Sequence, residues 1–135
     1  MTTKSFHPFR SAAAKEEYLT HYDKAVQTWP IPSEGRMVNT SYGQTFVRVS
    51  GPADAPPLVL LPGAGGCSLQ WQLSIETLSQ HHQTFAIDGL INLGCVGRSV
   101  YTKPISDAAN AVARLDELVD GIGLGKNISL LGASL

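Results

Sequence analysis

The sequence predicts an α/β fold, in which a helix and an antiparallel hairpin lead into a parallel βαβαβ sheet. Three observations predict it. The runs "LVLLP" (58–62), "QTFAID" (83–88) and "NISLL" (127–131) are almost continuously apolar, as strands buried on both faces are. Two stretches of helical spacing separate them, which is the βαβ signature. Ahead of them, two short β-type runs flank a glycine-containing turn.

Composition narrows the rest. With 135 residues, 43% hydrophobic and 16% charged, the chain suits one globular domain with its own core. A net charge of −1 gives no electrostatic reason to expect nucleic acid or an anionic membrane as partner. Cys67 and Cys95 lie in unrelated glycine-rich stretches without C-x-x-C spacing, so neither a disulfide framework nor a zinc site is expected. Residues 1–14 lack the apolar core of a secretory signal. No stretch approaches the roughly 18 apolar residues of a membrane span. The expectation is a soluble cytoplasmic protein with reduced thiols.

In chain order, Tyr18, Leu19, Tyr22, Ala25, Val26 and Trp29 form one stripe of a helix over 12–29, with Ser11 as its cap. Pro30 and Pro32 break it. Residues 1–35 thus form an N-terminal helical extension, and 36–135 the sheet domain. "RMVNTS" and "TFVRVS" pair around Tyr42-Gly43-Gln44; Phe46, Arg48 and Ser50 alternate with Val47 and Val49, a half-buried pattern. After the first parallel strand, 68–80 reads as a helix with Leu69, Leu73 (or Trp71), Ile75 and Leu78 inward. Ala108, Val112, Leu115, Val119 and Ile122 mark a second helix that starts at Ser106 and Asp107. "GIGLGK" (121–126) caps it: the phosphate-loop spacing fails because residue 120 is Asp.

Three loops leave the C-terminal ends of the parallel strands, where α/β sheets place their sites. The last carries Gly132-Ala133-Ser134-Leu135, four-fifths of G-x-S-x-G. In that turn the serine hydroxyl points away from the sheet, and small neighbours let the backbone pass closely. The first, "LLPGAGGCS", exposes backbone N–H groups where a helix begins, which suits a developing oxyanion or a pyrophosphate. Two readings follow. Gly63 and Gly65 open a G-x-G-x-x-G fingerprint and Asp88 would be the ribose acid, although Ser68 stands at the sixth position. The other reading is acyl chemistry at Ser134.

"LLPGAGGCSLQW", "FAIDGLINLGCVGRS" and "LLGASL", in this order and spacing, resemble the first half of an α/β-hydrolase of the serine esterase type. The resemblance covers about residues 36–135, and the preceding helix is similar to the extension of some esterase-like members. It implies that Ser134 is the nucleophile, with the backbone N–H groups of Ala64 and Leu135 as oxyanion hole. It implies ester or related acyl substrates and no cofactor. Gly94, Gly97 and Ser99 are the counterparts of a D-x-x-G-x-G-x-S loop, lengthened here around Cys95. Pro62 replaces the family's usual His.

The family's triad runs Ser, acid, His, whereas His7, His21, His81 and His82 all precede Ser134. The chain therefore reads as an N-terminal fragment, inactive alone. Asp88 reads as a structural strand-end acid and Cys67 as no nucleophile. A dinucleotide-binding module and a non-catalytic truncated domain are the alternatives. Oligomeric state has no signature in the sequence.

Overall fold

A computed structural model of the chain describes residues 10–63, 67–89, 97–102, 107–125 and 127–132. Helix α1 spans Ala12–Val26. The Ser11 hydroxyl accepts the Ala14 N–H at 3.1 Å, satisfying one donor of the first turn. The helix is shorter than its apolar stripe predicts. Thr28 and Trp29 donate to Ala25 and Val26, so the last turn tightens to three residues before Pro30. Trp29 is nevertheless buried.

Strands β1 (Ser33–Thr40) and β2 (Gly43–Ser50) form the antiparallel hairpin, with Thr40 opposite Gly43. Gly43 has φ +112°, and a Cβ there would overlap the Val100 carbonyl. That carbonyl belongs to β5 (Val100–Tyr101), which pairs with the start of β2. Two residues are too short to show a period, and β5 is invisible in the sequence pattern.

β3 (Pro57–Leu61) and β4 (Gln83–Ile87) run parallel, and β4 also pairs antiparallel with β2. The single helix expected over 68–80 is instead a 3₁₀ turn at Ser68–Trp71 followed by α2 (Ile75–Leu78). The interruption between them leaves Leu73 98% exposed, so Trp71 is the residue that packs inward with Leu69 and Leu78.

α3 (Ala108–Ile122) begins at Asp107, whose carboxylate accepts the Asn110 N–H at 2.8 Å, and ends at the left-handed Gly123, as expected of a C-cap. Its buried face is turned from the predicted one. Val112 is exposed, while Arg114 and Leu118 are buried beside the half-buried Leu115.

β6 (Ser129–Gly132) adds parallel to β3, giving the order β1-β2-β4-β3-β6. The hairpin and the parallel βαβαβ unit are as predicted.

The sheet is covered on both faces. Val47, Val49, Val59, Phe85 and Ile87 pack with Leu118 of α3 on one. Leu58, Leu60 and Ala86 pack with Trp29 and Ile75 on the other. β2 is therefore not half-buried: Thr45–Ser50 are all inaccessible, because Tyr22 and Trp29 cover the Arg48–Ser50 face. The helices that follow β3 and β4 thus lie on opposite faces of the sheet, the arrangement in which α/β folds place their sites at the strands' C-terminal ends.

β6 is the edge of this sheet among the described strands. Leu130 and Leu131 are 51% and 38% exposed there, next to unpaired strand backbone. The chain is expected to self-associate at micromolar concentration. Leu130→Lys should shift sedimentation toward monomer, because a charge on an apolar edge discourages strand addition.

Candidate active site

β3 and β6 pair Leu61 with Gly132 at their last residues. The glycine-rich segment after β3 and the Gly132-Ala133-Ser134-Leu135 segment therefore start side by side, about 4.8 Å apart, the usual spacing of neighbouring strands. Ser134, Leu135 and Ala64 themselves lie outside the described residues, as do Gly65, Gly94 and Cys95. Gly63 is described and buried, and its N–H donates to Gln70 Oε1 at 3.0 Å.

The described part of the site is organised by Asp88, directly after β4. It is fully buried. Oδ1 accepts the Ser68 N–H at 2.7 Å. Oδ2 accepts the Arg98 N–H at 2.9 Å and the Tyr22 hydroxyl at 2.6 Å. The Tyr22 oxygen in turn accepts from Arg48 Nη2 at 2.8 Å. Tyr22 thus bridges a buried carboxylate and a buried guanidinium.

Burial holds the Tyr22 hydroxyl well above its ordinary ionisation range, and the neighbouring Asp88 charge and hydrogen bond add to this. Arg48 lies 5.0–5.8 Å from the centres of the Phe46, Trp29 and Tyr22 rings, which offsets part of its desolvation.

The backbone of Asp88 is committed as well. Its N–H donates to Phe46, and its carbonyl accepts from Ser99 Oγ at 2.6 Å and Arg114 Nη2 at 3.3 Å. Ser99 Oγ also receives the Phe46 N–H at 2.9 Å. Arg114 reaches the Gly89 carbonyl and Thr45 Oγ1 and stacks 4.9 Å from the Tyr101 ring. Burial lowers its pKa from the ordinary guanidinium range. Gly97 has φ +58°, and a Cβ there would overlap the Asp88 carboxylate. Of the residues expected to belong to the loop's motif, Gly97 thus abuts the Asp88 carboxylate and Ser99 bonds its main-chain carbonyl.

Asp88 is structural, as the sequence suggested, and this removes the dinucleotide reading. A ribose acid must present a free oxygen, whereas this carboxylate is inaccessible and engaged at both oxygens. The Gly63 N–H is likewise engaged by Gln70 rather than open to a phosphate. His81 and His82 precede β4, at the opposite end of the sheet from these loops, and His21 is exposed on α1. Sequence reasoning missed Tyr22, Arg48 and Arg114 as parts of the site. Tyr22 was counted only within an apolar stripe, and Arg114 lay outside the predicted inward face.

A hairpin entering a parallel sheet of order β4-β3-β6, with a glycine-rich loop after β3 and G-x-S after β6, defines the class. The chain belongs to the α/β-hydrolase fold family and carries the N-terminal part of its sheet. It is similar to carboxylesterase YbfK of Bacillus subtilis (strain 168), with 33% identity over 127 residues, 94% of this chain and 42% of the relative. The crystal structure of naproxen esterase (carboxylesterase NP) from Bacillus subtilis matches with a TM-score of 0.80 at 32% identity, over 93% of this chain and 42% of that one. Haloalkane dehalogenase DatA from Agrobacterium tumefaciens C58 shares the fold, with a TM-score of 0.66 at 22% identity over 78% of this chain and 34% of that one. No protein-family model matches. The chain thus spans about two-fifths of the curated relatives it matches.

Two outcomes test the Asp88 centre. Gly97→Ala combines left-handed backbone with the overlap on Asp88, and should lower the unfolding free energy by at least about 2 kcal/mol in a urea titration. Gly123→Ala has left-handed backbone with open space around it, and should cost only about 1 kcal/mol.

The second outcome concerns alkaline pH. Above pH ~10 the unfolded chain releases the Tyr22 proton while the folded chain keeps it, so the unfolded state binds fewer protons. Stability should fall by up to about 1.4 kcal/mol per pH unit there through this group. The advantage of the native protein over Tyr22→Phe should accordingly shrink above pH ~10 and stay constant below it.

Proposed function

We propose that the chain forms the nucleophile-bearing N-terminal part of a serine esterase that cleaves small carboxylic esters or related acyl compounds. The observation that carries this reading is the pairing of Leu61 with Gly132. It brings a glycine-rich loop and a G-x-S segment to one end of the sheet, in a chain a third identical to a carboxylesterase.

On this reading Ser134 Oγ attacks the ester carbonyl as its proton passes to an imidazole. The oxyanion is received by the backbone N–H groups of Ala64 and Leu135. Gly63 offers no alternative donor, since its N–H is held by Gln70. Pro62 in place of a histidine leaves this arrangement intact, because the donors are backbone groups. The imidazole and the triad acid come from the portion of the relatives that this chain does not span. His81 and His82 precede a five-residue strand that separates them from the loops by about 16 Å at 3.3 Å per residue.

We further assign residues 1–35 to an N-terminal extension, whose last three residues already open β1, and 36–135 to the partial hydrolase domain. We expect no cofactor and no nucleic-acid or membrane partner, and we place the protein in the cytoplasm. No helix among the described residues is long and apolar enough to cross a membrane.

A fluorophosphonate probe tests the assignment. The protein extended to the length of these relatives should be labelled at Ser134, and Ser134→Ala should abolish the labelling. The 135-residue chain should hydrolyse simple esters no faster than its own Ser134→Ala variant, since a serine without its base is a poor nucleophile. Stoichiometric labelling of the 135-residue chain would reveal a base within it and overturn this division of the triad.

A further inference from the structure

Three polar groups on α1 converge on the loop that follows β4. The Tyr18 hydroxyl accepts the Gly97 N–H at 3.0 Å. The Tyr22 hydroxyl donates to Asp88 Oδ2 at 2.6 Å. The Asp23 carboxylate pairs with the Arg98 guanidinium. Positions i, i+4 and i+5 lie on one side of a helix, so this side serves a purpose that an apolar stripe could not. The sheet needs a cover, and Trp29 with Leu69 and Ile75 already contributes one; cover alone requires no hydroxyl aimed at a buried carboxylate.

Asp88 gives that hydroxyl its reach. Oδ1 holds the Ser68 N–H, where the glycine-rich loop after β3 ends. Oδ2 holds the Arg98 N–H, where the loop after β4 ends. The Tyr22 oxygen also lies 3.3 Å from Ser68 Oγ. One carboxylate therefore links both loops, and Tyr22 orients that carboxylate from the helix side, with Arg48 fixing the phenol from behind. Hydroxyl geometry follows from the chemistry: a carboxylate only accepts and a guanidinium only donates, so the single phenolic proton goes to Asp88.

We propose that α1 is a positioning clamp for the two loops flanking the site, and that Tyr22 is its positioning residue, acting through Asp88. The proposal rests on the esterase reading only for what the loops do, and its test is independent of that chemistry.

Tyr22→Phe retains the ring and removes the hydroxyl. Hydrogen exchange of the 135-residue chain, followed by mass spectrometry, should show roughly tenfold faster exchange in peptides covering 67–71 and 97–99, the size expected when a hydrogen bond to a charged group is lost. Peptides from β2, β3 and β4 should keep their rates. Tyr18→Phe should accelerate the 97–99 peptide more than the 67–71 peptide, because the Tyr18 hydroxyl accepts the Gly97 N–H. Unchanged exchange in both loop peptides of Tyr22→Phe would overturn the proposal. So would an equal acceleration across β2, β3 and β4, which would make Tyr22 a general stabiliser. Loosened loops together with an extended protein that the fluorophosphonate fails to label would sink the esterase reading and leave the clamp standing.

Discussion

A buried carboxylate is costly unless its lone pairs are filled and its charge is balanced, and Asp88 is the constraint around which this structure is arranged. Two backbone N–H groups and a phenol fill it, and those three donors come from three separate parts of the chain: Ser68, Arg98 and Tyr22. Its main chain joins β4 to β2 through Phe46 and to α3 through Arg114. Removing the carboxylate would leave all three donors unpaired in a dry environment. Replacing any one donor would leave a buried charge short of a partner. The site's loops are thus bound by the same requirement that keeps the sheet's end closed.

Two guanidiniums approach this centre from opposite faces. Arg48 lies on the α1 face, bonded to Tyr22 and surrounded by three rings. Arg114 lies on the α3 face, bonded to the carbonyls of Asp88 and Gly89 and packed on Tyr101. Neither bonds the carboxylate directly. Arg48 acts through a phenol and Arg114 through backbone, so each fixes a position as well as supplying charge. The exposed Arg98–Asp23 pair is a weaker contributor, since its side chains are 39% and 54% accessible. Its value is geometric: it closes the side of α1 that already carries Tyr18 and Tyr22.

Much of this was legible in the sequence, for physical reasons that also explain the rest. Apolar runs announced β3 and β4 because strands buried on both faces tolerate few polar residues. Ser11, Asp107 and Gly123 announced helix ends because caps are local chemistry. Arg48 was read on a half-exposed face because alternation cannot reveal that another helix covers it. Arg114 was missed because a buried arginine violates the pattern used to find buried residues; its partners are distant in the sequence. Leu73 and Trp71 could not be told apart until the 3₁₀ turn broke the helical period. Gly97 and Ser99 were legible as a motif, whereas their shared dependence on Asp88 needed coordinates.

An oxyanion hole works by holding its donors in place before charge develops, so that no reorganisation accompanies the reaction. On the proposed reading, the chain supplies the nucleophile and both donors but no base. The features that favour preorganisation then belong to this part of the protein. Gln70 holds Gly63 at the mouth of the first loop, and Asp88 holds Ser68 at its close. The described residues on either side of the glycine-rich segment are thereby held, and the donors proposed there, being backbone groups, do not need the histidine that Pro62 replaces. On the same reading proton transfer falls to a separate portion of the fold, while α1 and the end of β4 hold the described ends of the two loops that carry the electrostatic part.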